Sequence, residues 1–149
     1  MTKVPTRSPT HEDIEMRRLA SMGLELEDIA RDDQVTLADL VELAEDRGRP
    51  ASHYIAAIPL ATELTLAPNA EPARELKLKV CVGTCQRYGA LDVVDALVEK
   101  RVPVDLVPVA CLDRCDQGPA CELHGAHGQL VLAPASLATV TEAVDELTR

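Results

Sequence analysis

Four cysteines form two pairs of equal spacing, and they are the residues of this chain best suited to chemistry. The first pair lies in Cys81-Val-Gly-Thr-Cys85 and the second in Cys111-Leu-Asp-Arg-Cys115. A thiolate is a soft, negatively charged ligand, and four thiolates can surround iron or zinc tetrahedrally. The spacing therefore indicates a four-cysteine metal site, and an iron-sulfur cluster is the first interpretation.

The remaining cysteine and the histidines are weaker candidates for metal ligands. Cys121 lies six residues beyond Cys115, on a predicted strand, where a buried free cysteine is the ordinary interpretation. The histidines are interpreted as solvated surface residues, with a histidine ligand kept as an alternative: His11, His53, His124 and His127.

Two other chemistries also use cysteine pairs. Zinc takes four thiolates tetrahedrally, although its usual C-x2-C knuckles are absent from this sequence. Thiol-disulfide exchange is less favoured, because the C-x-x-C motif is also absent. A structural zinc site and a redox dithiol therefore stay open as alternatives to the cluster.

Composition and charge limit the class of protein. The chain has 149 residues, 46% of them hydrophobic, which is enough for one compact core. Its net charge of -10 would repel nucleic acids and anionic membranes, so we expect neither as a partner. No apolar run approaches the roughly 20 residues of a spanning helix, and the first residues have no apolar signal region. We therefore expect a cytoplasmic protein without direct membrane insertion.

Aromatic residues are almost absent. The chain has no Phe and no Trp, and its aromatic residues are Tyr54 and Tyr88. The core must be aliphatic, and stacking platforms for nucleic-acid bases are missing. There is also no Gly-x-Gly-x-x-Gly or phosphate-loop motif to seat a nucleotide. The cysteines therefore remain the best candidates for a functional site.

The first half of the chain is predicted to be helical. Residues 1–10 are rich in Pro, Ser and Thr and are interpreted as a disordered tail. Residues 11–66 are predicted to form a helical segment that docks a partner. Within it, an apolar stripe predicts a helix that stops at Gly23, and a short helix is expected over residues 24–31.

Two further helices are predicted before the linker. Thr36 begins the first as an N-cap, and Gly48 ends it. Ser52 is predicted to cap the second, which should run to about Leu64 and be kinked or shortened by Pro59. A stretch with two prolines at residues 67–74 is the best candidate for a domain linker.

After the linker, the hydrophobic period changes from helix to strand. A run of alternating apolar and polar residues predicts a strand that ends at Cys81. An amphipathic helix follows, and a second predicted strand leads to Cys111. A hairpin and a terminal helix complete a β-α-β-β-β-α order over residues 75–149, which is the order of a thioredoxin-like core. Both cysteine pairs then follow parallel strands, whose carboxyl ends lie at one edge of a sheet.

These motifs resemble the thioredoxin-like 2Fe-2S ferredoxin family. That family includes the small 2Fe-2S subunit of respiratory complex I and the gamma subunits of NAD-dependent formate dehydrogenases and hydrogenases. The matching residues are Val80-Cys81-Val-Gly-Thr-Cys85-Gln-Arg-Tyr-Gly89-Ala90, Cys111-Leu112-Asp-Arg-Cys115-Asp-Gln-Gly118-Pro119 and Gly48-Arg-Pro50-Ala-Ser52-His-Tyr54. The resemblance covers most of residues 36–149.

The resemblance implies a fold, a cofactor and a role. The fold is α/β, a thioredoxin-like 2Fe-2S ferredoxin domain at residues 75–149 preceded by an N-terminal helical segment. One 2Fe-2S cluster would be bound by four ligands: Cys81, Cys85, Cys111 and Cys115. The chain would be a non-catalytic electron-transfer subunit of an NAD(H)-linked oxidoreductase complex, with flavin and NAD(H) on a partner subunit. The alternatives are a freely diffusing ferredoxin and a zinc-stapled structural or adaptor subunit.

Overall fold

The computed structural model describes residues 13–67, 76–112, 119–125 and 128–147. Helices and strands are mixed within these residues, so the predicted α/β class is confirmed. The predicted tail at residues 1–10 and nearly all of the predicted linker lie outside the described residues.

The described secondary structure comprises five α-helices, one 3-10 helix and six strands. The α-helices are α1 (Met16–Ile29), α2 (Leu37–Arg47), α3 (Ala51–Ala61), α4 (Ala90–Glu99) and α5 (Leu137–Leu147). The 3-10 helix covers Thr84–Tyr88. The strands are β1 (Gln34–Val35), β2 (Thr65–Leu66), β3 (Lys77–Cys81), β4 (Asp105–Val109), β5 (Cys121–Gly125) and β6 (Gly128–Leu132).

The main sheet has four strands in the order β4-β3-β5-β6. β3 and β4 are parallel and are joined through α4, and their register pairs Cys81 with Val109. β5 is antiparallel to β3, and β6 is antiparallel to β5. The predicted order of elements after the linker is therefore confirmed. A second, parallel pair of two-residue strands, β1 and β2, was not predicted, because so short a strand has no readable periodicity.

α1 corrects the prediction of two helices separated at Gly23. The helix runs without interruption from Met16 to Ile29. A Cβ atom at Gly23 would lie 3.1 Å from the Thr62 side chain and 3.2 Å from the carbonyl oxygen of Ala61. The glycine therefore allows α1 to pack closely against the end of α3, and it does not end the helix.

α2 begins and ends as predicted. The Thr36 hydroxyl accepts a hydrogen bond from the Asp39 N–H at 3.1 Å, which satisfies one of the free amides of the first turn. Gly48 follows the last turn with a φ of 66°, a left-handed conformation that glycine adopts without a steric penalty.

α3 corrects the predicted role of Ser52. Pro50 occupies the N-cap position, and Ser52 lies inside the helix with its side chain buried. The Ser52 N–H and hydroxyl both donate to the Asp95 carboxylate on α4, at 3.0 and 2.8 Å. The helix ends at Ala61, two residues after Pro59, so the predicted end near Leu64 was slightly too late.

One aliphatic core runs through both halves of the chain. It includes buried side chains from every α-helix and from the main sheet, among them Leu26, Leu40, Ile55, Leu78, Val94 and Val140. α3 packs against α1 and α2 on the one hand and against α4 and β4 on the other. The helical segment and the sheet therefore stabilise one another. Among the described residues, no helix combines the length and apolarity needed to cross a membrane.

Replacing Ser52 with Ala should destabilise both halves of the molecule together. The substitution removes a partly buried hydrogen bond to a carboxylate, so we expect the free energy of unfolding to fall by about 1–2 kcal/mol. The measurement is urea unfolding followed by circular dichroism, and it should show one transition. Ser21→Ala on the exposed side of α1 is the matched control and should change stability by less than about 0.5 kcal/mol. Two separate transitions would contradict a shared core.

Candidate metal centre

The two cysteine loops leave the sheet side by side. Cys81 is the last residue of β3, and Cys111 lies two residues beyond the end of β4. The N–H of Val82 donates to the carbonyl of Val109 at 2.8 Å, which extends the parallel ladder by one bond into the first loop. The common register therefore fixes where both loops begin.

The loops touch at Gly83 and Ala110. A Cβ atom at Gly83 would lie 2.2 Å from the carbonyl oxygen of Ala110, closer than any side chain tolerates. The sulfur of Cys81 lies 3.7 Å from the same oxygen. Glycine is required here because of the close approach of the second loop.

The Cys81 sulfur is the point where both loops converge. Cys81 and Cys85 are fully buried, and their thiols are hydrogen-bonded to each other. Backbone amides of Cys85, Gly83 and Leu112 also face the Cys81 sulfur, and Leu112 belongs to the second loop. The Cys85 thiol, followed by these amides, lowers the pKa of Cys81 to about 6, against the opposing effect of burial. The site favours a thiolate at Cys81.

Small apolar side chains surround the buried pair. Ala90 and Ala120 are fully buried against Cys81 and Cys85, and the partly buried Leu112 and Ala133 pack on the same cluster. The carbonyl of Ala120 accepts a hydrogen bond from the Cys81 N–H at 3.2 Å. These walls shield the sulfurs from water and leave their negative charge to be balanced by amides or by a cation.

Sequence reasoning did not single out Gln86 as a site residue. Its side chain is buried in the 3-10 helix directly after Cys85. The amide group donates to the carbonyl of Val82 at 2.7 Å and accepts a hydrogen bond from the N–H of Ile14 at 2.8 Å. No sequence pattern could have identified this role, because one partner lies 72 residues away.

The structure brings part of the predicted ligand set together. Cys81 and Cys85 are in contact, and Cys111 is exposed on the adjoining loop. Cys115 lies outside the described residues. Among the residues that are described, no three His, Cys, Asp or Glu side chains group closely enough to hold a metal ion. Two soft donors in a common cluster, with a third on the touching loop, fit a thiolate-bound centre as far as the described residues extend.

Cys121 lies in β5, close enough to Cys81 for the two thiols to interact electrostatically. It is opposite Val80 in the sheet register and packs in the main aliphatic core, as expected for a buried free cysteine. Burial, with a smaller effect of the nearby Cys81, raises the pKa of Cys121 to about 12. Burial therefore disfavours the thiolate form of Cys121.

The described histidines have protein partners or partial burial. His124 lies 3.2 Å from the carboxylate of Glu122 on the same strand. His53 is half-buried on α3, and burial lowers its pKa from the usual range. The other two histidines, His11 and His127, lie outside the described residues.

No protein-family model matches the chain, and no curated protein is significantly similar to it in sequence. The interpretation of the site therefore rests on the contacts of the cysteine loops.

Replacing Gly83 with Ala should separate the two loops. The new methyl group would overlap the Ala110 carbonyl, so the Leu112 amide would move away from the Cys81 sulfur. We expect the affinity for a thiolate-bound metal to fall by roughly tenfold or more. The measurement is the metal content of the purified chain, by elemental analysis, together with competition by a chelator.

Gly48→Ala is the control for a general loss of stability. Its φ of 66° disfavours alanine, but a Cβ there would meet no heavy atom within 4 Å. This variant should be destabilised and should have the same metal content as the unaltered chain. Equal metal loss in both variants would show that the Gly83 contact has no specific role.

Proposed function

We propose that this chain is an electron-transfer subunit that carries one 2Fe-2S cluster. The ligands are Cys81, Cys85, Cys111 and Cys115, and the cluster lies at the carboxyl edge of β3 and β4. The chain itself turns over no substrate.

The observation that carries the proposal is the convergence of both cysteine loops on one sulfur. Cys81 contacts the Cys85 thiol and three backbone amides, and the Leu112 amide comes from the loop of Cys111. Amide hydrogen bonds to sulfur are the means by which proteins stabilise iron-sulfur clusters and set their potentials. A buried free thiol pair has no need of amide donors from a second loop.

The fold supports the same assignment. The strand order β4-β3-β5-β6, with one parallel pair and an antiparallel hairpin, is compatible with the thioredoxin-like core that the sequence predicts. α4 connects the parallel pair, and α5 packs on β5 and β6. We propose that residues from about 75 to 149 form a thioredoxin-like 2Fe-2S ferredoxin domain, on which the preceding helices pack.

A bound 2Fe-2S cluster would supply one-electron transfer between its ferric and ferrous states. The residues of this chain bind and tune that group. Cys81 and Cys85 hold one side from a buried position, and the amides of Gly83 and Leu112 offset negative charge on the sulfur of Cys81. Ala90 and Ala120 exclude water from this side.

The partner is a subunit that binds flavin and NAD(H). The sequence has no nucleotide-binding motif, so hydride chemistry belongs to another chain. The net charge of -10 favours a basic face on that partner. The two most exposed large apolar side chains described, Met16 and Leu24, both lie on α1, which supports a docking role for the helical segment.

Protein prepared without oxygen should contain about two iron and two sulfide per chain, the composition of a cluster that suits four thiolates. Chemical reduction should give a spin-half signal in electron paramagnetic resonance. Changing any one of Cys81, Cys85, Cys111 or Cys115 to Ser should abolish or strongly alter this signal. Cys121→Ser is the matched control and should leave it intact, since Cys121 lies in the main core.

The metal analysis also separates the alternatives. A colourless protein with one zinc and no sulfide would replace the electron carrier with a zinc-stapled structural or adaptor subunit. Loss of the cluster in Cys121→Ser together with its retention in Cys115→Ser would show that the ligand assignment is wrong.

Association with the partner subunit should depend on salt and on α1. Screening of exposed charges should weaken binding as ionic strength rises from about 0.05 to 0.5 M. Leu24→Ser should weaken it by roughly tenfold, the effect of an apolar interface residue that contributes more than 1 kcal/mol. The measurement is retention of the partner in the purified complex and reduction of the cluster by NADH.

Val131→Ser on β6 is the control, because it also removes an exposed apolar side chain but from a different element. An equal loss of binding in this variant would argue against α1 as the docking surface. Purification as a lone monomer that accepts electrons from many unrelated reductases would favour a freely diffusing ferredoxin.

A further inference from the structure

Gln86 is a buried amide with both of its polar atoms engaged. Its side chain is 4% exposed, and it lies one residue after Cys85. The nitrogen donates to the carbonyl of Val82 at 2.7 Å, and the oxygen accepts from the N–H of Ile14 at 2.8 Å. A buried polar side chain that lost either bond would be left with an unsatisfied group, so the arrangement is strongly specified.

These bonds continue a chain of hydrogen bonds across the site. The N–H of Val82 donates to Val109 in β4, its carbonyl accepts from Gln86, and Gln86 accepts from Ile14 just before α1. Val82 is therefore held on both sides of its backbone. The first cysteine loop is therefore hydrogen-bonded to β4 through Val82 and to the segment before α1 through Gln86.

Because Gln86 fixes the Val82 carbonyl, peptide geometry also fixes the direction of the Gly83 N–H. The carbonyl of Val82 and the N–H of Gly83 belong to one planar trans peptide, in which they point in opposite directions. Because Gln86 holds the carbonyl on one side of the loop, the Gly83 N–H is directed to the other side. The Cys81 sulfur lies there and receives that N–H.

We propose that Gln86 is a positioning residue of the cysteine site, which holds the peptide between Val82 and Gly83 so that the Gly83 N–H points at the Cys81 sulfur. The N–H of Ile14 fixes the orientation of the Gln86 side chain by donating to its oxygen. This role belongs to the chain with or without a bound metal. Its effect on a reduction potential rests on the proposed function.

The expected effect on a bound cluster has a definite sign. An N–H directed at a ligand sulfur stabilises added negative charge, and so it favours the reduced state. Loss of the Gln86 amide would free the Val82 carbonyl to rotate and would weaken the Gly83 contact. The midpoint potential should therefore shift to a more negative value.

The experiment uses the full chain with Gln86→Met, which keeps the length of the side chain and removes both hydrogen bonds. In the cluster-loaded protein, a redox titration followed by paramagnetic resonance should show the negative shift and altered g-values. Ser52→Ala is the control, because it also loses a side-chain hydrogen bond, which is partly buried and lies between α3 and α4. It should leave the potential and the spectrum unchanged.

A second measurement does not require the cluster. In the reduced, metal-free full chain, amide hydrogen exchange of Gly83 followed by NMR should be faster by roughly tenfold or more in Gln86→Met than in the unaltered protein. Ser52→Ala should not show this difference once its overall stability is taken into account. This measurement still decides the role of Gln86 if the protein contains no iron and sulfide.

Ile14 provides an independent test and replaces Gln86→Met should that variant fail to fold. Ile14→Pro removes the N–H donor at a position that precedes α1, where proline is tolerated. It should accelerate Gly83 exchange and shift the potential in the same direction. Ile14→Val retains the N–H and should do neither.

The outcomes separate this inference from the proposed function. A normal cluster with an unchanged potential and unchanged Gly83 exchange in Gln86→Met would overturn the inference and leave the proposed function standing. Absence of iron and sulfide with faster Gly83 exchange would overturn the proposed function and support the positioning role.

Discussion

The close approach of the Gly83 loop to the Ala110 carbonyl is the constraint on which the site depends. The parallel register brings Cys81 level with Val109, so the two loops start at neighbouring points of one sheet edge. They can then touch because Gly83 has no side chain, since a Cβ would lie 2.2 Å from that oxygen. With the loops in contact, an amide of the second loop reaches a sulfur of the first. A larger separation would take the Leu112 amide out of reach of the Cys81 sulfur.

That edge is held in place by residues distant from it in the sequence. The core contains no Phe or Trp, so it relies on many aliphatic side chains drawn from all five α-helices and the main sheet. α3 lies between the first helices and the sheet, and its Ser52 is bonded to Asp95 of α4. The segment before α1 reaches the first cysteine loop through Gln86. The change from helical to strand periodicity near residue 70 therefore divides the sequence, whereas the core is continuous across it.

Sequence periodicity predicted the elements whose signals are local. The alternation before Cys81, the hairpin and the caps at Thr36 and Gly48 all depend on neighbouring residues, and the structure confirms each of them. The failures came from residues whose role is set by distant partners. Gly23 was interpreted as a helix end, but it serves the packing of α1 on α3, and Ser52 was interpreted as a cap, but it binds Asp95. Gln86 was missed for the same reason.

The two cysteine loops contribute unequally to the described part of the site. Cys81 and Cys85 are buried in a cluster of small apolar side chains, and three backbone amides already face one sulfur. Cys111, in contrast, is exposed on the second loop. The buried side of the site is therefore formed by the first loop, and the exposed side includes Cys111 of the second. Two of the three amides that face the Cys81 sulfur belong to the first loop and one, that of Leu112, to the second, so both loops set the electrostatic environment of this sulfur.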